Sequence, residues 1–116
     1  MMNFYKMNIV EKIGKNDAFV ISFENYYGSG WVNYFFNAIK SKINPTNITK
    51  NDIDVGWNYS EYEFFFTKED LELKLEIDDF GPVAIILQKN ITEPNKNKLR
   101  EWANIIATEV ENLKNT

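Results

Sequence analysis

Between Leu71 and Asp78 the chain reads LELKLEID, with Leu71, Leu73, Leu75 and Ile77 alternating strictly with Glu72, Lys74, Glu76 and Asp78. A period of two sends alternate side chains to opposite faces of a strand, so this segment must have one apolar and one polar face. The same period runs through the surrounding sequence. Tyr62, Phe64 and Phe66 alternate with Glu61, Glu63 and Phe65, and Ile53, Val55, Trp57 and Tyr59 alternate with polar residues or glycine. Asp79-Phe80-Gly81-Pro82 is a turn signal, and VAIIL at 83–87 is a final, largely apolar strand. Residues 53–88 therefore predict an antiparallel meander with one face on a core.

The core needs a second layer, and two segments of helical period supply it. Trp31, Phe35, Ile39 and Ile43 recur every four residues, flanked by Val32 and Phe36, in a helix that should stop before Asn44-Pro45. Leu99, Trp102, Ala103, Ile106, Val110 and Leu113 form the stripe of a last helix, with Thr92 as its cap and Glu93 and Pro94 in its first turn. Residues 18–24, AFVISFE, read as a buried strand. Residues 3–13 read as a strand, with a short helix as the alternative, and the polar stretch 44–52 as irregular. The expectation is one α+β domain over residues 1–116: an antiparallel sheet of about five strands with two helices packed on one face.

Composition closes off much chemistry. Cysteine and histidine are both absent, which removes thiol chemistry, the usual base of nucleophilic triads and the commonest transition-metal ligand. Apolar residues make up 44% of the 116 and aromatics 16%, enough for a packed core without disulfides or metals. Glu11, Lys12, Lys15 and Asp17 interrupt the first twenty residues, so neither a signal peptide nor a membrane span is expected. The sequons at Asn47, Asn58 and Asn90 are then accidents of a chain with sixteen asparagines.

The formal charge of −4 is unevenly placed. Residues 52–79 hold ten acids against Lys68 and Lys74, a balance of −8, whereas the rest of the chain has seven acids and eleven bases. Register sharpens this. If 60–67 and 71–78 form a hairpin with coincident apolar faces, Tyr62, Phe64 and Phe66 oppose Ile77, Leu75 and Leu73. On the other face Glu63 then opposes Glu76, Glu61 opposes Asp78, and Phe65 opposes Lys74. Like charges set opposite one another are unfavourable, with Lys74 diagonal to Glu63 in partial relief. Aligning Val83, Ile85 and Leu87 with the core leaves Ala84 and Ile86 on the acidic face. Carboxylates of Glu61, Glu63, Glu72, Glu76, Asp78 and Asp79 around Phe65 and Ile86 make a candidate protein-binding face. The plain alternative is the solvated side of a half-exposed sheet.

Other constellations are thinner. Gly28-Ser29-Gly30 before a helix suggests a phosphate site, but it lacks a P-loop lysine and the full dinucleotide spacing, so a turn and cap is the simpler reading. Glu63/Glu76 and Glu61/Asp78 are carboxylate pairs on paper, yet acid–base work needs a tuned pocket rather than an open face. Asp52-x-Asp54 lacks the spacing of a calcium loop. Basic residues are scattered and Arg100 is the sole arginine, which argues against nucleic acid. Lys96, Lys98 and Arg100 read as the exposed side of the last helix. Trp57, Tyr59 and Tyr62 read as core or rim, and Tyr26 and Tyr27 as exposed in a glycine loop.

DIDVGWNYSEYEFFF followed by LELKLEIDDFG, in a short, acidic α+β chain without His or Cys and rich in residues of AT-rich codons, resembles bacterial immunity proteins of the contact-dependent growth inhibition type. The resemblance implies an inhibitor that binds a toxin domain and blocks its active site. With no His, no Cys and no closed carboxylate pocket, neither catalysis nor a cofactor is expected, and a cytoplasmic monomer is expected over a homodimer. Its partner would be the toxic C-terminal domain, commonly a nuclease and therefore basic, of a cognate effector. A secretion chaperone for an effector and a small phosphate-ligand-binding protein are the alternatives.

Overall fold

The computed structural model describes residues 9–54, 60–79 and 81–116. Expectations for residues 3–8, for Val55, Trp57 and Tyr59, and for Phe80 lie outside these. In chain order the elements are β1 (Ile9–Ile13), β2 (Phe19–Tyr27), α1 (Val32–Ala38) running into a π turn (Ile39–Ile43), β3 (Asn47–Asp54), β4 (Ser60–Lys68), β5 (Leu71–Asp78), β6 (Pro82–Leu87) and α2 (Glu93–Lys114). The fold class is α+β, with six strands rather than five, all pairings antiparallel, in the order β1-β2-β6-β5-β4-β3.

The extra strand is β3. Its first residues are polar, and no apolar alternation announces them. They pair nonetheless along β4, from Asn47 with Thr67 to Asp54 with Ser60. As the sheet's edge, β3 needs ladder hydrogen bonds more than a buried face, and a polar edge also discourages pairing with other chains. The β4–β5 hairpin has the two-residue turn Glu69-Asp70, both residues at positive φ (50° and 66°), the backbone that matches the twist of a tight hairpin.

One side of the sheet carries the core. Phe19, Ile21 and Phe23 of β2, Val83, Ile85 and Leu87 of β6, Leu71, Leu73, Leu75 and Ile77 of β5, and Phe64 and Phe66 of β4 are buried with both helices. The first helix explains its own spacing. A repeat of four drifts around an α-helix of 3.6 residues per turn. The chain widens at Ile39–Ile43, where the amide of Asn44 donates to the carbonyl of Ile39, five residues back. Phe35, Ile39 and Ile43 thereby all stay buried. Asn44 then takes the left-handed conformation, φ 54°, and ends the helix one residue before Pro45.

The second helix begins as expected. Thr92 Oγ1 accepts from the amide of Asn95 at 3.3 Å, and Leu99, Trp102, Ala103, Ile106 and Val110 are buried. Polar contacts tie it down at three points. Arg100 donates to both carboxylate oxygens of Glu11 on β1 (2.6 and 3.0 Å), Lys98 meets Glu69 at the hairpin turn (3.2 Å), and the Tyr26 hydroxyl donates to Glu111. Tyr26 is therefore not exposed: it is 3% accessible, edge-on to Trp31 and Phe35. Its neighbour Tyr27, one strand position on, is exposed as expected. The segment expected as a glycine loop continues β2 to Tyr27. Straight alternation from Ile21 and Phe23 would send Tyr26 outward, and the register shift between Phe23 and Tyr27 turns it to the core and leaves Tyr27 outside.

Candidate acidic sheet face

The inward positions go to the helices, and the outward positions make a second surface. Pairing lays these out in rows. One row runs Lys12, Val20, Ile86, Lys74, Phe65, Thr49, and the next Val10, Ser22, Ala84, Glu76, Glu63, Asn51. Glu61 with Asp78, and Glu72 with Thr67, flank them. The two helices pack on the opposite side.

The register expected for β4 and β5 is the one observed: Glu63 against Glu76, Glu61 against Asp78, Phe65 against Lys74. Lys74 settles between the opposed glutamates, its Nζ 2.9 Å from Glu76 and 3.7 Å from Glu63. Burial alone would lower the pKa of Lys74. The hydrogen bond and attraction from Glu76, with Glu63 adding to them, outweigh that and hold it above the ordinary lysine value. The opposed pair is thus a carboxylate–ammonium–carboxylate cluster with a residual charge of −1.

The remaining acids are not equivalent. Asp78 Oδ1 accepts from the amide of Gly81 at 2.8 Å, so it also holds the turn into β6. Asp79 lies in that turn, exposed and beyond the end of β5. Glu69 is committed to Lys98, and Asp52, on the other face of β3, pairs with Lys50 at 3.8 Å. The −8 segment is therefore split among two faces and a turn. Glu61, Glu63, Glu72, Glu76 and Asp78 share the outward face. Sequence reasoning missed Glu24, which joins them from β2 and pairs with Lys12 at 3.1 Å across the row that holds Ser22. Its even parity with Val20 and Ser22 was the available signal. Among the described residues this face carries six carboxylates and two ammoniums.

Of the two apolar anchors, Phe65 is 43% accessible and Ile86 only 9%. Ile86 is corrected from anchor to floor. It sits in a central strand with Val20 on one side and Lys74 on the other, and flanking side chains cover it.

The other constellations gain little. Gly28, at φ 90°, leads into a single 3-10 turn and then a seven-residue helix without a side-chain cap. Among the described residues no cluster of three acids is placed to hold a metal. Lys74 lies between the carboxylates of one proposed dyad, on an open face. No described helix is long and apolar enough to cross a membrane. The chain matches no family model, and no curated protein or solved structure is significantly similar to it.

Proposed function

We propose that the protein works by binding rather than by catalysis, and that it docks a basic protein domain on the outward face of its sheet. The supporting observation is the combination on one open face of a carboxylate excess with a large exposed ring, Phe65. Steering by such a face speeds encounter with a cationic partner, and a central ring provides apolar area to bury. The resemblance to contact-dependent growth inhibition immunity proteins names the partner: the toxic C-terminal domain of a cognate effector, a nuclease whose substrate groove is positive. The protein is then a cytoplasmic monomer that covers that groove, with Glu61, Glu63, Phe65, Glu72 and Glu76 as contacts and Asp78 and Asp79 at the rim.

The test is to express the toxic C-terminal domain of a candidate cognate effector in cells carrying wild type or Glu61→Gln plus Glu72→Gln. These two acids make no ion pair or hydrogen bond among the described residues, so their loss leaves the fold alone. Loss of protection with unchanged melting supports the reading; full protection at matched expression rejects it.

A further inference from the structure

Three other aromatic rings of the described chain already carry a cation. Lys96 and Arg100 lie over Phe19 at 5.5 and 5.3 Å, Lys40 over Phe36 at 5.4 Å, and Lys50 over Tyr62 at 5.8 Å. Phe65 is more exposed than any of these and has a lysine directly opposite it, yet no cation of the described residues is placed over its ring. Lys74 is drawn instead along the strand to Glu76 and Glu63. Around the ring stand Glu63 along β4 and Glu72 and Glu76 at the two diagonals on β5. Glu72 is exposed and has no ion pair or hydrogen bond among the described residues.

We infer that Phe65, with Glu63, Glu72 and Glu76 around it, is a seat for one arginine side chain of the docked partner. This rests on the proposal that the outward face binds a basic protein, and it adds which cation the face selects. A guanidinium is planar, lies flat on an aromatic face, and still offers edge N–H groups to carboxylates at the ring's margin. It is also more weakly hydrated than an ammonium. An ammonium is a compact, strongly hydrated charge and would have to leave part of its hydration shell to sit over the ring. Lys74 contributes by occupying one oxygen each of Glu63 and Glu76, and Glu72, which has no ion pair among the described residues, is the acceptor left whole. The seat therefore prefers arginine to lysine, whereas the charge of the face alone does not.

The experiment titrates the full chain, followed by its backbone amide spectrum, with a polyarginine and a polylysine peptide of equal length. Both should shift open-face amides of β4 and β5, and polyarginine should bind at least about threefold more tightly. Phe65→Leu keeps apolar bulk but removes the ring. It should abolish that preference while leaving the polylysine affinity in place. Phe65→Tyr should retain the preference, and Glu72→Gln should reduce it more than Glu61→Gln does. Equal affinity of the two peptides for wild type overturns the seat, as does a preference that survives Phe65→Leu. If neither peptide shifts the open face, the docking proposal itself fails. If both bind there alike, only the arginine seat fails.

Discussion

Phe64 and Phe65 are adjacent on β4, and they belong to two different surfaces of the same sheet. Phe64 is fully buried against Phe36 of the first helix, ring centroids 5.1 Å apart, while Phe65 stands exposed among carboxylates. The helix-covered side is continuous hydrocarbon from β2 to β4. The open side mixes charge and small residues with Val10, Val20, the covered Ile86 and one exposed ring. The first side decides whether the chain folds. The second contributes little to folding and even works against it where Glu61 faces Asp78. A surface that tolerates opposed like charges is shaped by something other than stability, and that contrast is the main physical support for a binding role.

Substitutions can break this contrast. The largest effects belong to the covered side: Phe64→Ala, or Trp102→Ala on the second helix, should cost about 3–5 kcal/mol in denaturant unfolding. That is a large share of the roughly 5–15 kcal/mol available to a domain of this size. Phe65→Ala, one residue away, should cost less than about 1 kcal/mol. Similar losses at Phe64 and Phe65 would mean the two faces are not distinct.

Next comes Lys74, which holds the middle of the open face together. Lys74→Met should destabilise by about 1–2 kcal/mol, because it leaves Glu63 and Glu76 opposed without a counter-charge. Adding Glu76→Gln should restore much of the loss. No rescue in the double variant would show that the alkyl stem of Lys74, not its charge, is what matters. The sign with pH follows from its raised value. Its contribution is fully present below the ordinary lysine pKa and is lost as pH rises through the folded-state value, so the difference between wild type and Lys74→Met should shrink in alkali.

The smallest effect lies at the sheet's other edge. The hydrogen bond from Arg100 holds the Glu11 carboxyl below its ordinary value. Its contribution is present above the ordinary carboxylate pKa and is lost as pH falls through the lowered one. The pair is exposed and screened, so Glu11→Gln should trim the acid side of the stability curve only slightly, and less in high salt.

What was legible in the sequence follows from the same contrast. Strict alternation gave β4 and β5 their register, because a one-residue slip would exchange Phe64 for Phe65 and Leu75 for Glu76. The stripes of both helices and the Thr92 cap were equally local signals. What escaped depends on strands far apart in sequence. The pairing of β6 with β2 is non-local, and it sets Val20 beside Ile86 opposite the flank that Lys74 covers. β3 is an edge strand and leaves no apolar pattern in its first residues. Glu24 joins the acidic face only once β2 lies in the same sheet. The site's carboxylates were readable because they sit on one hairpin. The division of labour among them, with Lys74 holding two and Gly81 engaging a third, required side-chain positions.

The central claim is that the open face binds through charge around Phe65. It is tested most directly by the affinity of the proposed partner, a purified candidate effector domain, for wild type and for Glu61→Gln plus Glu72→Gln, at low salt and at about 0.15 M. Wild type should bind more tightly at low salt and weaken steeply as salt rises. The double variant should bind more weakly at low salt, depend less on salt, and melt at the wild-type temperature. Identical affinities and identical salt dependence for the two proteins would contradict the claim.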